Sequence, residues 1–160
     1  MFSTVGNLQT GLTIDKGISS GVTKGMPVLF GDKLLGITKA SDLISSRVRT
    51  IFEKDFAMIA INTQNHEIVR VRGNSTAYLS ELMICDYLPL RSEIKVGDPI
   101  ETSILGDIYP NSIKVGIVEK IEYDRDGIPV RAYIRPYIDP RDIDIVSVLR
   151  YKKIEGEKVD

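Results

Sequence analysis

Short runs that alternate apolar and polar residues, separated by Gly and Pro, dominate this chain and restrict it to a sheet-based fold. The longest two runs cover residues 113–123 and 130–135, with Asp124-Arg125-Asp126-Gly127 between them. Nearly all odd positions of the first run are apolar, including Ile117 and Tyr123, so these side chains are expected to face one side of a strand. Because Gly adopts positive φ without a Cβ clash, the Asp-Gly sequence favours a tight reversal. The two runs predict one long β-hairpin.

A second hairpin and several further strands follow the same pattern. The hairpin joins residues 27–30 to 34–37, and other strands are predicted at 12–15, 47–52, 57–62, 67–72, 77–83, 98–103 and 143–151. Ile, Val and Thr together number 44, against 17 for Ala and Leu, and β-branched side chains suit a pleated surface better than a helix. Only residues 41–46, which begin with a capping serine, are predicted to form a single helical turn.

Three short motifs occur twice in the same order. Residues 22–28 resemble 94–100, residues 35–39 resemble 115–119, and residues 47–49 resemble 129–131. A repeated unit of one turn and three strands predicts two small related β-barrels, although chance similarity between β-rich segments is the alternative. We place the barrels at residues 8–76 and 77–151, with exchange of strands between them allowed, and a charged tail at 152–160.

The second unit carries an insertion of about residues 104–112. It contains four large apolar side chains, namely Ile104, Leu105, Ile108 and Tyr109. Either this segment packs back as a plug that closes one barrel end, or it leaves an apolar patch for a partner. These four residues are the candidate partner-binding set.

Charge and composition argue against several classes of function. The net charge is −1, so nucleic acid is not an expected partner. With Cys85 and His66 as the only cysteine and histidine, neither an internal disulfide nor a zinc site is expected, and Cys85 is predicted to be buried. The glycine spacing matches no phosphate-binding motif, so no cofactor is expected. No stretch is apolar enough to span a bilayer, and the abrupt start at Met1 suggests an excised fragment.

Catalysis has one weak candidate. His66 lies in a polar run between two predicted strands, and no serine lies in a nucleophile motif. A loop histidine is the simpler interpretation, and a two-barrel hydrolase that uses His66 is the alternative. It would require the imidazole to lie within hydrogen-bond reach of a serine and a carboxylate. A barrel that binds a small ligand in an enclosed apolar cavity is a third hypothesis.

Pairs of arginines project from three predicted strands. They are Arg47 and Arg49, Arg70 and Arg72, and Arg131 and Arg135. Each pair belongs either to a solvated face or, if the strands adjoin, to a guanidinium-rich surface suited to a carboxylate-bearing partner.

Taken together, several motifs resemble the extracytoplasmic barrel domain of the rod shape-determining MreC family. The matching residues, which we interpret as structural, are Asp15, Gly17, Gly21, Val22, Gly25, Met26, Pro27, Val28, Gly36, Gly97, Asp98, Thr102, Ser103, Pro110 and Gly116. The resemblance covers about residues 12–150. The chain departs from the family pattern at Ile104, Asp107 and Ser112, where glycines are common.

The resemblance implies an all-β fold of two chymotrypsin-like barrels with little or no helix and without a working catalytic triad. It also implies a non-enzymatic scaffold of the bacterial cell-elongation complex that positions the cell-wall synthesis machinery. The implied partners are the elongation-specific penicillin-binding protein, the membrane protein MreD and other copies of the same protein. The implied location is extracytoplasmic, on the periplasmic side, with a membrane anchor N-terminal to the barrels that is absent from this chain.

Overall fold

The computed structural model describes residues 2–4, 12–74, 82–106, 109–110 and 112–150. Within these ranges the chain forms strands joined by loops, and its only helical segments are three single 3-10 turns at Ile18–Ser20, Ile104–Gly106 and Pro140–Asp142. The strands are β1 (Phe2–Thr4), β2 (Leu12–Ile14), β3 (Pro27–Phe30), β4 (Lys33–Ser41), β5 (Ser46–Thr50), β6 (Ala57–Asn62), β7 (Ile68–Arg72), β8 (Met83–Tyr87), β9 (Pro99–Thr102), β10 (Lys114–Tyr123), β11 (Pro129–Pro136) and β12 (Ile145–Val148). The all-β prediction is confirmed.

The bounds of several predicted strands shift at their ends, and two of the predicted elements differ more from the structure. The strand predicted at 77–83 falls mostly on residues 77–81, which lie outside the described residues, and β8 begins only at Met83. The helical turn predicted at 41–46 is wrong: Ser41 ends β4 and Ser46 begins β5. The amide of Asp42 donates to the carbonyl of Ser45 at 2.8 Å. This segment is therefore a tight hairpin turn.

Six strands close into a barrel in the order β10, β11, β8, β7, β6 and β9, with β9 pairing again with β10. Every pairing around this ring is antiparallel. The other six strands form a sheet in the order β2, β5, β4, β3, β12 and β1. A single parallel bridge between Lys33 and Lys114 joins this sheet to the barrel.

Strands on each side of the boundary predicted between residues 76 and 77 pair with strands from the other side. Strands β6 and β7, from the predicted first unit, complete the closed barrel by pairing with β9 and β8. Strand β12, from the predicted second unit, pairs with β3. The division of the chain into two barrels stays a prediction, and each half exchanges strands with the other.

The predicted repeat is visible in the registers of the strands. Val28 pairs with Gly36 in the first half, and Ile100 pairs with Gly116 in the second. A register shift follows each of these pairs at the equivalent position. The motifs at 22–28 and 94–100, and those at 35–39 and 115–119, therefore occupy equivalent places in the fold.

The third motif match was placed in the wrong register. Ile37 pairs with Arg49, whereas its equivalent Ile117 pairs with Arg135. The structural counterpart of residues 47–49 is thus 133–135, four positions beyond the predicted 129–131. Val130-Arg131 and Ile134-Arg135 both suit a half-buried strand. Local similarity to Val48-Arg49 therefore could not show which of the two is its counterpart.

The alternation predicted along β10 reverses at Ile117 and Val118 and returns at Ile121, which packs against the barrel core as predicted. Ile117 is 37% exposed, whereas Val118 is fully buried. Tyr123, also predicted to face inward, is 57% exposed. Register shifts on both sides of this segment account for the change, because each β-bulge adds a residue and moves later side chains to the other face.

Strand β4 separates two apolar cores. Leu34 packs into the core of the closed barrel, whereas its neighbour Leu35 packs into the core of the second sheet. Successive side chains in a strand point to opposite faces, so one strand supplies both cores. Cys85 is fully buried in the barrel core, as predicted, and burial raises the pKa of its thiol to about 12.

Candidate functional site

The glycines of the resemblance motifs have two structural roles. Gly25 and Gly97 adopt φ values of 88° and 96° at equivalent turns that lead into β3 and β9. Gly36 and Gly116 have no room for a side chain, because a Cβ would lie 2.1 Å from the carbonyl oxygen of Arg49 and 2.3 Å from that of Arg135. Gly17 is also buried, and Gly21 adopts a φ of 81°.

The remaining motif residues of the first half shape its core. Val22, Pro27 and Val28 are buried, Met26 is half-buried and Asp15 is exposed. In each half, the turn glycine donates its amide to the second strand after the turn, β4 or β10: Gly25 to the carbonyl of Thr38 and Gly97 to that of Val118, both at 2.8 Å. Gly25 and Met26 thus lie at a structural turn against Thr38, whereas Gly17 lies against the β4–β5 hairpin and Gly21 against Arg150.

Polar motif residues of the second half anchor the connection between β9 and β10. Thr102 is fully buried, and its hydroxyl donates to the carbonyl of Pro110. The same oxygen accepts the amide of Ile113 at 3.1 Å. Ser103 accepts the amide of Leu105 at 3.2 Å. This connection is therefore held at its start by Ser103 and at its end by Thr102, the last residue of β9.

The candidate partner-binding residues divide between the core and the surface. Tyr109 is only 2% exposed and belongs to the barrel core, and burial raises the pKa of its phenol. Its assignment to a partner contact is corrected, because a side chain buried in that core is not available to a partner. Ile104 and Leu105 are 40% and 65% exposed, and Ile108 lies outside the described residues. We call Ile104 and Leu105 the connection patch.

Ser112, at the end of the same connection, adopts a φ of 76°. This left-handed conformation costs about 1 kcal/mol in residues other than Gly, and the resemblance had indicated that Gly is common here. Ser112→Gly is expected to raise the free energy of unfolding by about 0.5 kcal/mol, measured by urea denaturation. Ser19→Gly, at an exposed position without positive φ, should lower it instead. Equal losses in both variants would contradict this account.

A second apolar patch, which sequence reasoning missed, lies at the tip of the β4–β5 hairpin. It comprises Ile18, Leu43 and Ile44, which are 54%, 65% and 71% exposed. The amide of Ile18 donates to the carbonyl of Asp42 at 2.9 Å, which holds the two segments together. The sequence contains a sign of this patch, since the apolar residues Leu43 and Ile44 lie between polar neighbours, but this pattern predicted a helical turn. We call these residues the hairpin-tip patch.

His66 lies in the β6–β7 loop, as the simpler interpretation predicted, and its side chain is exposed. It lines a concavity together with Ser92 and Asp98. The Ser92 hydroxyl donates to the carboxylate of Glu67, and the Asp98 carboxylate accepts from the side-chain amide of Asn62 at 2.8 Å. The serine and the carboxylate that a triad would need are thus both engaged with other residues.

The interior of the closed barrel is occupied by side chains. Val71, Val118 and Ile134 point inward and are fully buried. This packing does not support the small-ligand hypothesis, which requires an enclosed apolar cavity.

Two of the three arginine pairs lie on β7 and β11, the two strands that flank β8. The carboxylate of Asp86 on β8 lies 2.8 Å from Arg72 and 3.4 Å from Arg70. Arg135 pairs with Glu119, and Arg49 lies 3.1 Å from Asp55 in the second sheet. Because Asp86 and Glu119 lie among the arginines of β7 and β11, the outer surface of these barrel strands carries both positive and negative charge.

In the described part of the chain, no helix has the length and apolar character to cross a membrane. Among the same residues, no three His, Cys, Asp or Glu side chains are grouped so that they could hold a metal ion.

Comparison with known proteins identifies the family. A family model described as rod shape-determining protein MreC, barrel core, matches residues 1–150. The cell shape-determining protein MreC of Listeria monocytogenes is 29% identical over 155 residues, which cover 92% of this chain and 50% of that protein. The Escherichia coli protein of the same name is 31% identical over 113 residues, which cover 71% of this chain and 30% of that protein. The chain therefore spans half or less of the length of these relatives.

Solved structures have the same fold. MreC from Listeria monocytogenes superposes with a TM-score of 0.79 at 26% identity, covering 92% of this chain and 73% of that one. MreC from Pseudomonas aeruginosa gives 0.77 at 22% identity, covering 93% and 97%. A complex between Penicillin-Binding Protein (PBP2) and MreC from Helicobacter pylori gives 0.64 at 15% identity, covering 92% and 98%. Since the barrel-core model matches almost the whole chain, the chain belongs to the MreC family of rod shape-determining proteins.

Proposed function

We propose that this chain is a non-enzymatic scaffold of the bacterial cell-elongation complex, which binds and positions the cell-wall synthesis machinery. The observation that carries the proposal is the match of residues 1–150 to the barrel core of a shape-determining family. Binding energy would then serve to position a partner enzyme, and this chain would neither make nor break a covalent bond.

The proposed principal partner is the elongation-specific penicillin-binding protein. A relative with the same fold, MreC from Helicobacter pylori, has a solved structure in complex with Penicillin-Binding Protein (PBP2). On the family resemblance we also propose MreD and further copies of this chain as partners. The same resemblance supports an extracytoplasmic location with anchoring to the membrane.

We propose the connection patch as the contact. Ile104 and Leu105 leave apolar surface in water, while Thr102, Ser103 and the buried Tyr109 hold the segment that carries them. A preorganised apolar projection loses little conformational entropy when a partner covers it. The hydrolase alternative has no comparable support, since Ser92 and Asp98 are bonded to Glu67 and Asn62.

Leu105→Asp is expected to weaken binding to the penicillin-binding protein ectodomain from the same organism at least about tenfold, because a carboxylate would be buried against apolar surface. Isothermal titration calorimetry measures the affinity. The fold should persist, since Leu105 is 65% exposed.

Leu43→Asp is the matched control for this experiment. It makes the same change at a leucine that is also 65% exposed, but in the hairpin-tip patch. It should leave the affinity unchanged. If Leu43→Asp weakened binding and Leu105→Asp did not, the contact would lie at the hairpin-tip patch and the proposed one would be wrong.

A further inference from the structure

The hairpin-tip patch and the connection patch lie at opposite ends of β4. Strand β4 begins at Lys33, which is bridged to Lys114 at the start of β10, and it ends at Ser41 beside the tip. The connection patch lies at the Lys33 end, because the amide of Thr102 donates to the carbonyl of Ile113 just before β10. The nine residues of β4 span about 26 Å. The two patches are therefore separate surfaces.

The hairpin tip is a rigid projection made of two segments. The 3-10 turn at Ile18–Ser20 lies against the β4–β5 hairpin turn, and the amide of Ser19 donates to the carbonyl of Leu43 at 2.9 Å. Gly17 is so close to the hairpin that a Cβ there would lie 2.2 Å from the carbonyl oxygen of Asp42. The apolar side chains of the patch are thus held in place before any partner binds, which reduces the entropy lost on association.

The backbone of the 3-10 turn offers no free donors. The amides of residues 18–22 all donate to backbone carbonyls, at 2.9–3.0 Å. The acceptors are the carbonyls of Gly17, Ile18, Asp42 and Leu43. An extended peptide that adds to a sheet edge needs free backbone donors, whereas a segment that enters the boundary of a bilayer needs its backbone donors already paired. This pairing favours lipid over an added strand.

The exposed apolar side chains of the tip are all aliphatic. Ile18, Leu43 and Ile44 are 54%, 65% and 71% exposed. The residues that dominate binding between proteins are enriched in Tyr, Trp and Arg, and leucine is under-represented among them. Aliphatic side chains on a projecting tip need a complementary pocket in a protein partner, but a fluid bilayer accommodates them without one. The composition of the patch therefore also favours lipid.

Three cationic side chains flank the tip. Lys16 directly precedes Gly17, and the exposed Arg47 follows the hairpin turn. The guanidinium of Arg150 donates to the carbonyl of Ser20 at 2.7 Å, which fixes it beside the 3-10 turn. A guanidinium presents five donors in a planar fork that matches phosphate oxygens. The rim of the patch can thus bind lipid phosphates while the aliphatic side chains insert.

Two carboxylates oppose this positive charge. Asp15 and Asp42 are both exposed, on the two segments that form the tip. The three cations outnumber these two acids, so the region carries a small excess of positive charge. A basic region attracts a membrane that contains anionic lipids more strongly than a zwitterionic one. The charge of the rim therefore specifies the kind of bilayer.

We propose that the hairpin-tip patch inserts into the surface of a bilayer that contains anionic phospholipids. Its three aliphatic side chains enter the boundary between headgroups and acyl chains, and Lys16, Arg47 and Arg150 bind lipid phosphates. This is a peripheral contact, in which the strands remain outside the bilayer. It does not rest on the proposed scaffold function, because its ligand is lipid alone and the connection patch lies at the other end of β4.

Co-sedimentation with vesicles of phosphatidylcholine and phosphatidylglycerol in equal amounts tests the proposal. Binding should be at least about fivefold weaker to vesicles of phosphatidylcholine alone. Leu43→Asp should weaken binding to the mixed vesicles about tenfold, because a carboxylate replaces a side chain that inserts. Asp42→Asn should strengthen it about threefold by removing a negative charge. Leu105→Asp, at a leucine of equal exposure in the connection patch, should leave it unchanged.

Three results would overturn the proposal. One is the absence of binding, or binding that does not depend on phosphatidylglycerol. Another is binding that Leu43→Asp and Ile44→Asp leave unchanged; both residues are largely exposed, so both variants should fold. The third is a dimer in analytical ultracentrifugation without lipid that Leu43→Asp dissociates, since a second copy would then cover the patch. Failure of the scaffold proposal would appear separately, in the titration with the penicillin-binding protein.

Discussion

Gly36→Ala and Gly116→Ala are expected to lower the free energy of unfolding by about 3–5 kcal/mol each, which is enough to prevent folding of a marginal domain. In both cases the new Cβ would lie less than 2.5 Å from a carbonyl oxygen of the neighbouring strand, that of Arg49 or that of Arg135. Backbone cannot move aside as a side chain can. The sheet must therefore separate locally and lose ladder hydrogen bonds.

Gly25→Ala and Gly97→Ala are the matched controls. A Cβ at either position would meet no atom within 4 Å, but both residues have positive φ. These variants should lose only about 1–2 kcal/mol, from backbone strain alone. Urea denaturation of all four proteins separates close approach from strain. If both pairs of variants lost the same free energy of unfolding, the close approach of the neighbouring strand at Gly36 and Gly116 would not be the cause of their destabilisation.

Much of the strand pattern could be predicted from sequence because it depends on local periodicity. Strand β6 has the predicted bounds, and the long hairpin of β10 and β11 lies where alternation and the Asp-Gly turn placed it. The predicted inward face of β10 is correct at Ile113, Val115 and Ile121 but wrong at Ile117 and Tyr123, which follow register shifts. A bulge depends on the register with two neighbouring strands, and that information does not lie within the run itself.

Turns that contain apolar residues were harder to interpret. Leu43 and Ile44 sit in a hairpin turn because β4 and β5 pair up to Ser41 and Ser46. Exposed apolar residues in a turn contradict the usual pattern, and such local contradictions often mark surfaces retained for contact. The apolar pair in this turn therefore indicates a surface patch, although the sequence pattern predicted a helical turn.

The candidate site was only partly predictable for the same reason. The motif residues that resemblance supplied, such as Gly25 and Thr102, have roles in turns and in the buried framework. Tyr109 and Leu105 lie four positions apart, yet one is buried and the other exposed. The concavity near His66 combines loops about 60 residues apart in sequence, and no local pattern could have brought them together.

The repeat also explains why one buried carboxylate should matter greatly. In the first half, the hydroxyl of Thr38 closes the glycine turn by accepting from Met26 and donating to the carbonyl of Thr23. The equivalent of Thr38 in the second half is Val118, which has no hydroxyl. Asp98 takes over, and its carboxylate accepts the amide of Lys95 at 2.8 Å. The same turn is thus stabilised by different side chains in the two halves.

Asp98→Ala is therefore expected to lower the free energy of unfolding by about 2–4 kcal/mol, because it leaves the amide of Lys95 and the buried side chain of Asn62 without an acceptor. Asn62→Ala should have a similar effect. The double variant should lose about 1–3 kcal/mol less than the sum, since the two residues share one interaction. Asp124→Ala, which removes a carboxylate that caps an exposed turn, should lose less than about 1 kcal/mol. Additive losses at Asn62 and Asp98 would mean that the hydrogen bond between them does not contribute to stability.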